Sequence, residues 1–174
     1  ERWLQTLVSV TSGPDPGDIF RGITTGLASA LRCRWTTVGR RLPDSGTVRT
    51  LGFWNTDRCV PPVEYCLQGS PCEEVLRLGF RIFPDHVIES FPDDDLLREL
   101  GVVGYVGIPL RDESGGTIGI LNAFHDEPLR IGPPEASNFV ALSRRFVTAH
   151  SSAPGRPMTT EPAALTAISR PLRR

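Results

Sequence analysis

Apolar positions along this chain recur with two different periods. Ile19, Phe20, Ile23, Leu27 and Leu31 are spaced three to four residues apart and share one face of a helix, opened by Asp15-Pro16-Gly17-Asp18 as an N-cap. Trp3, Leu4, Leu7 and Val8 carry the same spacing earlier, and Thr11 to Pro14 breaks it, so residues 1–14 read as the end of a connector helix. Trp35 to Arg41 and Thr47 to Trp54 are instead rich in strand formers and flank Pro43-Asp44-Ser45-Gly46, a turn sequence, which predicts a hairpin. A second hairpin is predicted for Gly104 to Arg111 and Thr117 to His125 around Asp112-Glu113-Ser114-Gly115-Gly116. Val106, Ile108 and Leu110 lie on one face of its first strand, as expected of a central strand. Pro133-Pro134 opens a last helix, in which Ala136, Phe139, Leu142 and Phe146 repeat at helical spacing to about His150.

Residues 55–100 lack long periodic segments, and connections of this length usually carry function. Ser70-Pro71-Cys72-Glu73 is a helix start: Ser70 as N-cap, Pro71 in the first turn where a missing N–H costs nothing, and Glu73 completing a capping box. The helix runs from Cys72 to Leu78. Phe80 to Phe83 reads as a short strand and Asp94 to Leu100 as a second short helix. Cys72 sits in a first turn, where free N–H groups and the helix dipole favour a thiolate, so it is expected to be the most reactive of the four cysteines. The competing reading is a small buried residue without chemistry. Asp93-Asp94-Asp95 is read as helix capping and not as a metal site, because no calcium-loop glycine and distal glutamate surround it.

Three blocks within about Trp35 to Leu129 resemble the GAF domain family. The first is Tyr65, Leu67, Gly69, Pro71, Cys72 and Val75; the second is Phe91-Pro92 with Asp94 and Leu97. The third is Tyr105, Gly107, Pro109, Leu110, Asp112 and Gly115, followed by Ile118-Gly119 and Leu121. The resemblance implies an α+β, GAF-like fold: a central antiparallel sheet of five to six strands, helices on one face and a pocket-forming crossover on the other, occupying residues 15–150. It also implies a sensory module of a bacterial signalling protein, a sensor kinase, cyclase or similar, with its output domain in the same polypeptide. In that fold Trp54, Tyr65, Phe91 and Tyr105 flank or line the crossover, so with Cys72 and Asp94 they are the candidate ligand-binding residues. Their flat faces suit a planar or apolar ligand. Filling a closed core is the alternative. The chain departs from two better-known ligand types. Cys72 is followed by Glu73 where bilin-attaching members commonly have histidine, and the Asn-Lys signature of the cyclic-nucleotide members has no lysine to supply it. No cofactor is specified.

Composition fits one domain: 174 residues, with 39% hydrophobic and 22% charged, can bury a single core. No apolar run approaches the roughly 18 residues a membrane helix needs, and no leader opens the chain, so a cytoplasmic location without membrane contact is expected. The start at Glu1 suggests a fragment of a larger protein. A net charge of −1 gives no basic footprint for nucleic acid. All 19 basic residues are arginine, which excludes Schiff-base lysine chemistry and the phosphate-loop Gly-Lys-Ser/Thr motif. After His150 the composition turns to Ser, Pro, Thr and Ala with four arginines against one glutamate, and residues 151–174 read as a linker or tail.

Cys33, Cys59, Cys66 and Cys72 form no Cys-x-x-Cys pair, and His86, His125 and His150 lie outside zinc spacings, so no metal site is expected. Two alternatives to a non-catalytic sensor remain open. One branch of GAF proteins reduces free methionine sulfoxide with pocket cysteines, and Cys59, Cys66 and Cys72 fall within fourteen positions. That chemistry needs a low-pKa thiolate and a resolving cysteine with Cα atoms within about 7 Å. The other is an interaction module without ligand; for the sensor as for this module, a homodimer through the terminal helices is expected, with Trp3, Leu4 and Leu7 beside Phe139, Val140 and Phe146.

Overall fold

The computed structural model describes residues 16–150. The expected connector helix over 1–14, the Asp15 end of the first N-cap and the tail over 151–174 lie outside the described residues, as does the side chain of Phe146. In chain order the elements are α1 (Pro16–Leu31), β1 (Trp35–Arg41), β2 (Thr47–Asn55), β3 (Arg58–Cys59), β4 (Glu64–Cys66), α2 (Pro71–Leu78), β5 (Arg81–Phe83), α3 (Val87–Ser90), α4 (Asp95–Leu100), β6 (Gly104–Arg111), β7 (Thr117–His125) and α5 (Pro133–His150).

One antiparallel sheet organises the α+β fold, in the order β3-β2-β1-β7-β6-β5, with β4 also paired to β2. Its centre is the two hairpins read from the sequence, β1/β2 and β6/β7. They are joined where β1 lies against β7, with Trp35 opposite Phe124 and Val38 opposite Leu121. Seven strands are described where five to six were expected. The surplus comes from β3 and β4, two and three residues long, too short to leave a period in the sequence.

Side-chain alternation divides the core in two. On β6, Val106, Ile108 and Leu110 face α1 and α5, where Phe20, Ile23, Leu27, Phe139 and Leu142 cover them. Tyr105 points the other way, into the layer built by residues 56–103. On β7, Leu121 and Ala123 lie on the helix side, and Ile120 and Phe124 on the opposite side. The Thr36 hydroxyl donates to the Thr24 carbonyl of α1 at 2.7 Å, tying that helix to β1. β2 breaks its own alternation. Gly39 pairs with Thr50 and Val38 with Gly52, so Leu51 is an extra residue, a bulge. Before it the even-numbered Val48 belongs to the crossover side; after it the odd-numbered Phe53 does.

The short helices start as their sequences require. Ser70 is extended and its hydroxyl accepts from the Glu73 N–H, with Pro71 opening α2. The return arm of the capping box shifts by one residue: Glu73 accepts from the Gly69 N–H at 2.9 Å, because the Ser70 N–H is already donated to the Leu67 carbonyl. α4 begins at Asp95, one residue later than expected, since Asp94 is its extended N-cap and accepts from the Leu97 N–H at 3.1 Å. α3, four residues after a left-handed His86, had no periodic signal.

Candidate functional site

On the sheet face opposite α1 and α5, five elements bring polar side chains to one point. α2 delivers Cys72, β4 Tyr65, β6 Tyr105, β7 Asn122 and β1 Thr37. The Cys72 sulfur lies 3.2 Å from the Tyr105 hydroxyl and 3.7 Å from the Tyr65 hydroxyl. Asn122 Nδ2 donates to the same sulfur and to the Tyr105 hydroxyl, both at 3.4 Å. The Thr37 hydroxyl donates to Asn122 Oδ1 at 2.5 Å, which fixes the amide. Gly107, next to Tyr105 but one, leaves room for this arrangement: a Cβ there would come 2.7 Å from the Tyr105 hydroxyl and 2.8 Å from Val75 Cγ2.

These groups, with Asp94 and Leu96, line a cavity of about 20 Å³ walled by Phe53, Val63 and Phe124. That is room for about one water molecule. The crossover therefore closes over the sheet and nearly fills the space.

Burial disfavours charge throughout the network. Burial pushes the Cys72 thiol above its ordinary value, and the Tyr105 and Tyr65 hydroxyls pull the other way without prevailing. This supports the small buried residue over the helix-activated thiolate: the dipole of an eight-residue helix is outweighed by removal of the sulfur from water. Both tyrosine hydroxyls are held well above the usual phenol range, first by burial and then by the neighbouring Cys72. Asp94 is also raised, by burial, against the N–H groups of Leu97 and Leu96 that favour its charge.

Of the six residues singled out from sequence, the structure brings Tyr65, Cys72, Asp94 and Tyr105 to the cavity. Trp54 does not reach it. The Leu51 bulge turns it to the other face, where it packs against the helix-side core. Phe91 stands behind the cavity wall: its ring meets Phe83 edge-on at 5.1 Å, and Phe83 tilts against Tyr105 at 6.2 Å. Sequence reading missed Phe53, Phe124, Thr37, Thr50 and Asn122. Asn122 carried a usable signal, an amide in the middle of the apolar run of β7.

The other cysteines do not gather here. Cys59 pairs opposite Trp54 and Cys66 opposite Thr47 on β2, seven residues apart along that strand, or roughly 20 Å. Tyr65 turns inward, so its neighbour Cys66 points outward and is exposed. Cys33 is buried on the helix side, its thiol pushed up to about 12 by burial and its sulfur 3.6 Å from the Trp35 carbonyl. All four are free thiols. Asp94 and Asp95 diverge as well: Asp94 caps α4, while Asp95 pairs with Arg98.

The family profile described as "GAF domain" matches residues 15–149. No curated protein matches the chain in sequence. Among solved structures, the chromophore-binding domain of a Stigmatella aurantiaca phytochrome superposes with a TM-score of 0.65 at 13% identity. That match covers 87% of this chain and 59% of the phytochrome chain, so this chain spans well under two thirds of it. Free methionine-R-sulfoxide reductase from Neisseria meningitidis, solved with its substrate, gives 0.69 at 16% identity over 86% of each chain. The GAF domain of an Acinetobacter phosphoenolpyruvate-protein phosphotransferase gives 0.66 at 12%, covering 86% of this chain and 92% of that one. At these identities the likeness is one of fold.

Proposed function

We propose that this chain, which belongs to the GAF domain family, is a non-catalytic sensory module of a bacterial signalling protein that binds a small molecule in the cytoplasm. It works as a homodimer and controls an output domain in the same polypeptide. The observation that carries the reading is the polar network of Cys72, Tyr105, Asn122 and Thr37 at the floor of the cavity. Most side-chain hydrogen bonds in folded proteins go to backbone or water. Here two phenols, an amide and a thiol are spent on one another, and a sulfur is a weak acceptor for them. A ligand oxygen or nitrogen could replace it.

Occupancy has a route outward. Tyr105 faces the cavity while Val106, Ile108 and Leu110 on the same strand face α1 and α5, so a shift of β6 moves the helix layer. The dimer reading takes the groove of about 150 Å³ between those helices, lined by Leu27, Leu31, Phe139 and Leu142 together with Glu135 and Asn138, as the surface that a second copy covers.

Methionine sulfoxide reduction is the weaker reading. It is favoured by the place of Cys72 in the cavity, but the thiol is raised and no second thiol stands beside it. Native mass spectrometry of the purified domain, compared with its denatured mass, tests these readings. A dimer with extra non-covalent mass is the expected result. A bare monomer at high concentration would sink the dimer, and turnover of free methionine sulfoxide that disappears in Cys72→Ser would establish the enzyme instead.

A further inference from the structure

We propose that the cavity beside Cys72 takes a small organic cation, a primary ammonium group on a flat apolar body, with the Asp94 carboxylate as its anchor. This rests on the ligand-binding reading above and adds the ligand's charge. Among the residues that line the cavity, Asp94 is the sole ionic group; no arginine or histidine is present. Of the arginines on the surrounding elements, Arg49 reaches Glu64 at 3.5 Å, Arg81 donates to the Phe80 carbonyl at 2.8 Å, and Arg98 pairs with Asp95 and reaches Asp94 only through space.

Asp94 is half-buried and makes no ion pair among the described residues; its N-cap bonds are its partners. A carboxylate withdrawn from water beside apolar walls is costly until a cation meets it. The remaining lining groups, Tyr65, Cys72, Tyr105, Asn122 and two threonines, are neutral. They can orient a ligand but cannot offset a second negative charge, so a carboxylate or phosphate ligand would face Asp94 with no cation in the lining. An ammonium gains a charge-assisted hydrogen bond at Asp94, and the faces of Phe53, Tyr65, Tyr105 and Phe124 attract the same charge.

Size points to the moving part. About 20 Å³ does not hold such a ligand. Tyr65 is the side chain to yield, since it is half-buried, sits on the three-residue strand β4 and is tied inward by the 3.7 Å contact to Cys72.

The test titrates the domain with benzylamine, benzyl alcohol and benzoate, three probes of one shape and different charge, by calorimetry at neutral pH. Asp94→Asn removes the charge and keeps a good N-cap; Tyr65→Ala widens the cavity. The expected result is benzylamine binding about tenfold more tightly than benzyl alcohol, as a charge-assisted bond requires, with benzoate weakest. Asp94→Asn then lowers the amine to the level of the alcohol. Equal binding of amine and alcohol, a preference for benzoate, or a preference that survives in Asp94→Asn overturns the charge assignment and leaves the ligand-binding reading standing. Failure of all three probes on both the wild-type and the Tyr65→Ala protein overturns the two together.

Discussion

Tyr105 shows how much one side chain holds together. Its ring stacks near Phe124 with centroids 6.4 Å apart, and its hydroxyl meets both the Cys72 sulfur and the Asn122 amide. Replacing it with phenylalanine keeps the ring and removes the hydroxyl, leaving buried Asn122 with a weaker set of partners. The expected cost is about 1–2 kcal/mol of stability, read as a lower urea midpoint at unchanged slope. A change within error would mean that the network contributes nothing to the fold. Cys72 makes the complementary point. Its capping box and place in the first helical turn are visible in the sequence, yet the sign of its pKa shift follows from burial by β6 and β7, strands far from it in the chain, together with the nearby β4. No local rule contains that information.

At the scale of elements, the Leu51 bulge decides the fate of β2. Unbroken alternation from Val48 would carry Gly52 and Trp54 to the crossover side; the extra residue puts Phe53 there. Trp54 packs instead against the helix-side core, and Gly52 lies so close to α1 that a Cβ would come 2.9 Å from the Phe20 carbonyl. Trp54→Ala is therefore expected to lower stability by about 2 kcal/mol, below the range for fully buried tryptophan because the ring is only partly covered. Probe binding in the cavity should stay unchanged. Loss of probe affinity at intact stability would return Trp54 to the site. Both hairpins, α5 and the start of α2 were legible because they rest on local periodicity, turns and caps. β3, β4 and α3, of two to four residues, exist because neighbours pair with or cover them.

For the whole molecule, the sheet acts as a partition with the polar cavity on one side and the helix layer on the other, and the cysteines report on both. Cys66 is exposed, Cys59 half-covered, and Cys33 and Cys72 lie in the two separate cores. Alkylation of the native domain followed by peptide mass spectrometry should label Cys66 first and Cys59 more slowly, with Cys33 and Cys72 protected until the domain unfolds. Early labelling of Cys72 would show that the crossover opens readily and would strengthen the case for thiol chemistry. A disulfide formed between Cys59 and Cys66 in the folded domain would contradict their places at opposite ends of β2.

The sequence by itself determined the two hairpins and the capped helices, because each depends on spacing or on side-chain type within a short stretch, and the family blocks it carries pointed to four of the residues that line the cavity. Tertiary structure alone decided which face Trp54 takes, that Phe53, Phe124, Thr37 and Asn122 join the site, how little space remains there, and that burial pushes the Cys72 thiol up. Those outcomes depend on strand register and on desolvation by residues distant in the chain. A bulge of one residue or the closing of a loop changes them without altering any local pattern.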